Sequence, residues 1–355
     1  MPRIPPQLLM KASRISPNLA RLLPICRDLA SARNELRWLT EHVTETQTSS
    51  ARLTAHQAAR LSHLCRRRRT GEPLQYILGS QPFGDLEIQC RTGVLVPRAE
   101  TEAYTLYLSG LLRRGLGVQG MRIVDFCTGT GCIPLLLYAE LRRRGGQPPT
   151  EVRGVDISPA AIKLSGENLR YGVVTKAIPA PSPESVLSFT QADLFDDGAI
   201  KKFAHVGPWH VLVSNPPYIS REAWSEGNRG LSISTRKFEP KLALVPRDGI
   251  SHSVNCRHED AFYERLLKVA QTLRSGVMLL ELGDADQARR VLTLVDRSGI
   301  LQEHSKVEVW RDYPDMQRQE DESDVLETQK ASGESWLVNC RGSGNIRCIF
   351  IITEP

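Results

Sequence analysis

From residue 122 onward the chain alternates short, apolar, β-prone runs with helix-prone stretches, and this alternation restricts its fold more than any other property. The runs are Arg122 to Cys127, Glu151 to Asp156, Val186 to Thr190, Trp209 to Ser214, Val277 to Leu282 and Val307 to Trp310. Strands spaced by helices predict a mainly parallel, doubly wound α/β sheet. The ligand of such a sheet lies outside the carboxyl ends of its strands, at the switch point. Residues 312–345 are polar and read as a mobile insertion, after which the β-branched run Ile346 to Thr353 reads as a final edge strand.

Upstream the texture differs. Residues 1–75 read as helical, with Thr54 and Gln57 forming a capping box for a helix that ends in Arg66 to Arg69 before Gly71. Four cations suit the negative end of a helix, although they could also dock RNA or an acidic partner. Residues 76–100 read as a β-hairpin linker in which Leu86 to Cys90 pairs with Val94 to Val96. Three units result: a helical domain 1–75, a linker 76–100 and an α/β domain 101–355.

Charge and composition exclude several classes of function. The 46 Lys and Arg against 40 Asp and Glu leave a net charge of +6, too mild for a dedicated nucleic-acid binder. Eight scattered cysteines without a C-x-x-C give no sign of a metal site. The best apolar run, Ile133 to Ala139, is too short to cross a membrane, so no membrane partner is expected. Arg3, Lys11, Arg14, Arg21 and Arg27 precede the first acid, Asp28, as in an organelle transit peptide, although basic helices of a folded domain would show the same bias.

The first strand of the α/β unit ends in Asp125-Phe126-Cys127-Thr128-Gly129-Thr130-Gly131 and runs into a helix over Cys132 to Arg144. Glycines at this place let a ligand approach the backbone, and the helix start offers free N–H groups. A dinucleotide fingerprint would need a third glycine where Pro134 stands, which points to another adenosine ligand. Asp156, ending the second strand, can accept the hydroxyl protons of an unphosphorylated ribose. After the third strand, Ala192-Asp193-Leu194-Phe195 would flank an adenine, although Leu194 and Phe195 could equally be core.

The fourth strand delivers Asn215-Pro216-Pro217-Tyr218 beside the same crevice. The Asn215 side-chain oxygen and the Pro216 carbonyl can each accept one proton of a planar NH₂ group, while the Tyr218 ring covers its face. A delocalised nitrogen is a poor nucleophile and needs a strong electrophile. S-adenosyl-L-methionine meets both demands, with an adenosine for the glycine loop and Asp156 and a sulfonium methyl for the nitrogen.

Across residues 73–313 the sequence resembles the HemK/PrmC family of glutamine N5-methyltransferases. The likeness rests on Glu72 to Gly79, Val96-Pro97-Arg98-Ala99-Glu100-Thr101-Glu102, the glycine loop, Asn215 to Tyr218, Phe238-Glu239-Pro240, Glu281-Leu282-Gly283 and Arg311-Asp312-Tyr313. It implies a Rossmann-like, seven-stranded class I methyltransferase domain behind a small helical domain and a hairpin linker. It also implies that the substrate is the Gly-Gly-Gln glutamine of a class I peptide-chain release factor, bound by Asn215, Pro216, Pro217 and Tyr218. The cofactor contacts would come from Asp125, Cys127 to Gly131, Asp156, Asp193, Leu194 and Asn215, with Arg98 and Glu239 as further substrate-side candidates. Cys127 departs from the family's usual glycine. The long C-terminal region and the basic start resemble organellar members, which implies a mitochondrial location, with the cytoplasm as the other. A monomer is the default expectation. Two other functions fit the cage: N6 methylation of adenine in DNA or RNA, which would require base flipping, and a non-catalytic cofactor-binding or ribosome-associated module.

Overall fold

The computed structural model describes residues 4–44, 53–116, 118–143, 149–226 and 231–353. Arg3 and Arg144, which figure in the expectations above, lie outside the described residues. The N-terminal part is a cluster of helices, α1 (Pro6–Ile15), α2 (Pro17–Cys26), α3 (Leu29–Thr44), α4 (Ala55–Arg69) and α5 (Leu74–Leu78). At the start of α4 the Gln57 amide donates to the Thr54 hydroxyl at 3.2 Å and the Thr54 amide to the Gln57 side chain at 2.9 Å, a reciprocal cap. Two of the four arginines closing α4 turn inward: Arg68 pairs with Glu35 of α3 at 2.7 Å, and Arg67 with Glu72 at 2.9 Å. Leu19, Leu22, Leu39 and Leu61 form a core of their own, which reaches past residue 75 to Ile77.

The linker hairpin joins β1 (Ser80–Phe83) to β2 (Leu86–Gln89), so Leu86 to Cys90 pairs backward rather than with Val94 to Val96. The reason is the turn. Only Gly84 and Asp85 separate the strands, and Gly84 takes a left-handed φ of 58°, as a two-residue hairpin requires. Val94 to Val96 instead runs unpaired along the cleft described below.

After α6 (Ala99–Leu111) come β3 (Arg122–Phe126), α7 (Cys132–Arg143), β4 (Glu151–Asp156), α8 (Pro159–Val174), β5 (Val186–Gln191), α9 (Asp197–His205) and β6 (Val211–Ser214). The chain continues through α10 (Arg221–Glu226), α11 (Ile233–Phe238), α12 (Ala261–Leu273), β7 (Val277–Glu281), α13 (Ala285–Arg297), β8 (Lys306–Tyr313), β9 (Val325–Gln329), β10 (Ser335–Arg341) and β11 (Ser343–Ile352). Nine strands form one sheet in the order β5-β4-β3-β6-β7-β11-β8-β10-β9. From β5 to β7 the neighbours are parallel, as the alternation predicts. Helices cover both faces, with two apolar cores on either side of strands such as β6, where Val211 and Val213 face one core and Leu212 the other.

The C-terminal expectation needs correction. Ile346 to Thr353 is not an edge strand: β11 lies antiparallel between β7 and β8, and Cys348 to Ile351 are buried. An unbroken apolar run of this kind marks a strand covered on both faces. Half of residues 312–345 is strand, because β10 and β9 extend the seven-stranded core beyond β8. Their polar composition hides a period of two in which Leu326, Thr328 and Val338 turn inward. The irregular start of β11 is held by Arg311, which donates to Gly344 O and Ser323 O, both at 2.9 Å, and by Asp312, which accepts from the Asn345 amide and Arg347, both at 2.8 Å.

Candidate active site

The carboxyl ends of β3, β4, β5 and β6 open into a cleft of about 1090 Å³ at the switch in strand order. Its floor is the loop from β3 to α7. The Thr128 amide donates to Val155 O at 3.0 Å and the Gly129 amide to the Asp156 carboxylate at 2.9 Å, which ties the loop to the end of β4. Gly131 has φ 78°, and a Cβ there would lie 2.8 Å from the Phe189 ring, so the close turn into α7 needs glycine. Cys127 adopts φ 63°, the conformation a glycine would take. A cysteine holds that conformation at a steric cost of about 1 kcal/mol.

Asp156 is shaped to receive a diol. One carboxylate oxygen accepts from the Gly129 amide and the other from the Ser158 amide at 2.8 Å, which leaves further lone pairs on both. Burial raises its pKa from the usual carboxylate value. Asp125 is enclosed more completely: among the described residues only the neighbouring Thr128 hydroxyl is in reach of its carboxylate, and burial pushes its pKa well up. A buried carboxylate with so few partners behind the cleft floor fits a polar or cationic ligand group. Burial also drives the Cys127 thiol well above its usual range, so it stays protonated and is no nucleophile.

Ten of the sequence-predicted residues line the cleft: Arg98, Cys127, Thr128, Gly129, Thr130, Asp156, Asp193 and Leu194, together with Asn215 and Pro217. The others lie beside it. Asp125 is beneath the floor and Gly131 packs against Phe189. Pro216 is buried next to Asn215. Glu239 is buried under Arg98, accepting from it at 2.7 Å and from the Val96 amide at 3.2 Å. Leu194 faces the cleft, whereas Phe195 packs edge-on against Phe262 at 5.1 Å.

β6 ends at Ser214, whose hydroxyl donates to Phe126 O at 2.8 Å and fixes the spacing of the β3 and β6 ends. Among the described residues neither the Asn215 amide group nor the Pro216 carbonyl has a hydrogen-bond partner. Tyr218 turns its hydroxyl inward to Glu281 at 3.1 Å, and burial together with Glu281 raises its pKa above any physiological value. Sequence reasoning missed Arg247, which pairs with Asp193 across the cleft, and the backbone of Val94 to Pro97, which forms one lip. Arg247 sits in a loop whose sequence carries no motif. The lip was hidden by being read as a strand.

Comparison with known proteins places the chain among methyltransferases. A family model described as the PrmC N-terminal domain matches residues 26–79. The mitochondrial MRF1 N(5)-glutamine methyltransferase MTQ1 of Saccharomyces cerevisiae is 36% identical over 69% of this chain and 68% of its own length. The probable MRF1 mitochondrial N(5)-glutamine methyltransferase of Schizosaccharomyces pombe is 31% identical over 80% of this chain and 86% of its own. The release factor glutamine methyltransferase of the bacterium Thermodesulfovibrio yellowstonii is 30% identical over 71% and 78%.

Proposed function

The chain belongs to the HemK/PrmC family of release factor N5-glutamine methyltransferases, and from that premise we propose how its cleft performs the reaction. The protein is an S-adenosyl-L-methionine-dependent methyltransferase that methylates the glutamine side-chain nitrogen in the Gly-Gly-Gln motif of a class I release factor. When bound, the cofactor supplies an electrophilic methyl carbon and a sulfur leaving group. Asp156 would hold its ribose, Leu194 and Asp193 would flank its base, and Asp125 with Thr128 would face its charged end from below.

The observation that carries the mechanism is the unpaired state of Asn215 and Pro216 at the end of β6. Two acceptors, one from a side chain and one from the backbone, can hold both protons of a carboxamide NH₂ and so fix its plane. With the cofactor bound, one N–C bond would form as the methyl–sulfur bond breaks, and one N–H proton would pass to water at the mouth of the cleft. Cys127 and Tyr218 both stay protonated, so neither supplies a thiolate or a phenolate. The residues therefore act by positioning and by preorganised dipoles, without a covalent enzyme intermediate.

We assign residues 1–75 to recognition of the release factor, 76–100 to the linker and 101–355 to methyl transfer. A separate helical core, which runs on to Ile77, and the match over residues 26–79 support a distinct helical unit at the N-terminal side. We place the protein in mitochondria and read it as a monomer acting on a protein substrate rather than on nucleic acid. The names of two relatives support the location. No described helix is long and apolar enough to cross a membrane.

Incubating the protein with cofactor and a mitochondrial class I release factor should add one methyl group to the Gly-Gly-Gln peptide, read by mass spectrometry. Asn215→Ala should abolish turnover while cofactor affinity stays within about tenfold, or about 1.4 kcal/mol. An unmodified peptide with the unaltered protein would overturn the substrate assignment, and equal loss of turnover and cofactor binding in Asn215→Ala would overturn the role of the asparagine.

A further inference from the structure

Four elements converge on Tyr218 from behind the cleft. The Glu281 carboxylate, at the end of β7 and 2% exposed, accepts three hydroxyl protons. Thr101 donates to one of its oxygens at 2.8 Å and Tyr104 to the same oxygen at 2.9 Å, while Tyr218 donates to the other at 3.1 Å. Thr101 and Tyr104 are three residues apart on α6 and so project from one face of it. Burial raises the Glu281 pKa, and Arg347 of β11, ion-paired with Asp312 at 2.8 Å, works against that rise together with the three hydroxyls.

The backbone of Tyr218 is gripped as well. Gln287, 3% exposed in the first turn of α13, donates to Tyr218 O at 3.2 Å and to Asp260 at 2.9 Å, and accepts from the Gly283 amide at 2.9 Å. Gly283 itself makes room for the ring, since a Cβ there would lie 3.3 Å from Tyr218 Cδ2. Hydroxyl, ring and carbonyl are thus each held by a different group.

We propose that Glu281, with Gln287 and Gly283, is a positioning assembly that fixes the Tyr218 ring beside the carboxamide acceptors. The proposal rests on the methyltransferase reading above. Glu281 touches neither substrate nor cofactor; it acts through Tyr218. A carboxylate is required because its two oxygens only accept. In Glu281→Gln one acceptor becomes an NH₂ donor, which must face either the Tyr218 hydroxyl or the Thr101 and Tyr104 pair. A tyrosine held only by packing would turn and shift, and the face it presents to the glutamine would move with it.

Three measurements test this on the full-length protein. In Tyr218→Phe the ring remains but its tether is gone, so kcat should fall about tenfold while the cofactor dissociation constant stays within about threefold. Glu281→Gln should lower kcat similarly, and the double variant should lose no more than the worse single one, because both act through the same Tyr218 tether. The ¹⁹F resonance of 3-fluorotyrosine at position 218 should shift and broaden in Glu281→Gln at a temperature where the protein remains folded. Wild-type kcat in Tyr218→Phe, multiplicative losses in the double variant, or an unchanged resonance would each overturn the proposal. The resonance needs no methyl acceptor, so it decides the role of Glu281 even where the release factor proves not to be the substrate. A release factor left unmethylated by the unaltered protein would instead count against the substrate assignment alone.

Discussion

Asp125 is the side chain least suited to the folded state. Its carboxylate is buried with, among the described residues, no partner beyond the neighbouring Thr128 hydroxyl, and desolvation raises its pKa well above the usual carboxylate value. A raised carboxyl pKa contributes stability that is present at low pH and lost as pH rises through the folded-state value. Asp125→Asn should therefore stabilise the cofactor-free protein at neutral pH by about 1–3 kcal/mol, and the gain should vanish as pH falls toward the ordinary carboxyl range. The same change should weaken cofactor binding, the trade expected where a site keeps a destabilising group for its ligand. Denaturation midpoints at two pH values, with calorimetric titration of the cofactor, check both halves. A stability loss at neutral pH would show that the acid serves the fold. At this scale the glycine loop and Asn215 to Tyr218 were legible because each is a local word with a local chemical meaning. Glu281 stood out only as part of a motif; its role was not legible, since its three hydroxyl partners lie between 63 and 180 residues away in the chain.

Elements were legible in proportion to how plainly their periodicity shows. The cap at Thr54 and the parallel strands β3 to β7 follow from short-range pattern, whereas β9 and β10 disguise their alternation among charges. Charge holds them in place as well. Glu308 of β8 accepts from Arg341 of β10 at 2.9 Å and from Trp310 at 3.0 Å, and lies 2.8 Å from Lys306. Despite the opposing effect of burial, these partners lower its pKa to about 2. A depressed carboxyl pKa contributes stability above the unfolded value and loses it as pH falls toward the folded one. Glu308→Gln should cost about 1 kcal/mol at neutral pH, allowing for solvent screening of the exposed Arg341 and Lys306. The difference from the unaltered protein should shrink between the unfolded value of 4.5 and about 2. Urea titrations across that range measure it, and a pH-independent difference would mean that the side chain acts by packing alone.

In the whole molecule, the last strand in sequence is not the last in space. β11 returns between β7 and β8, so the sheet closes only when the C-terminal residues are in place, and β10 and β9 are added outside an already complete core. No local pattern reveals this, because Ile346 to Thr353 reads as a strand wherever it is inserted; its address is set by register, as in Ile349 opposite both Leu280 and Val309. The topology separates two deletions of similar size. The Cys340 amide donates to Asp324 O at 2.7 Å, so a short Gly-Ser link can replace residues 325–340 without moving Arg311, Asp312 or the start of β11. That variant should fold and keep its cofactor affinity within about threefold, while losing about 2–4 kcal/mol from the exposure of Leu326, Val338 and the α13 face they cover. Truncation after residue 342 removes a strand buried on both sides, and with it the Arg347 charge that steadies Glu281 behind Tyr218. It should yield no cooperatively folded protein. Circular dichroism melts of the two variants decide the matter: a folded truncation alongside an unfolded internal deletion would reverse the roles given to β11 and to the outer pair.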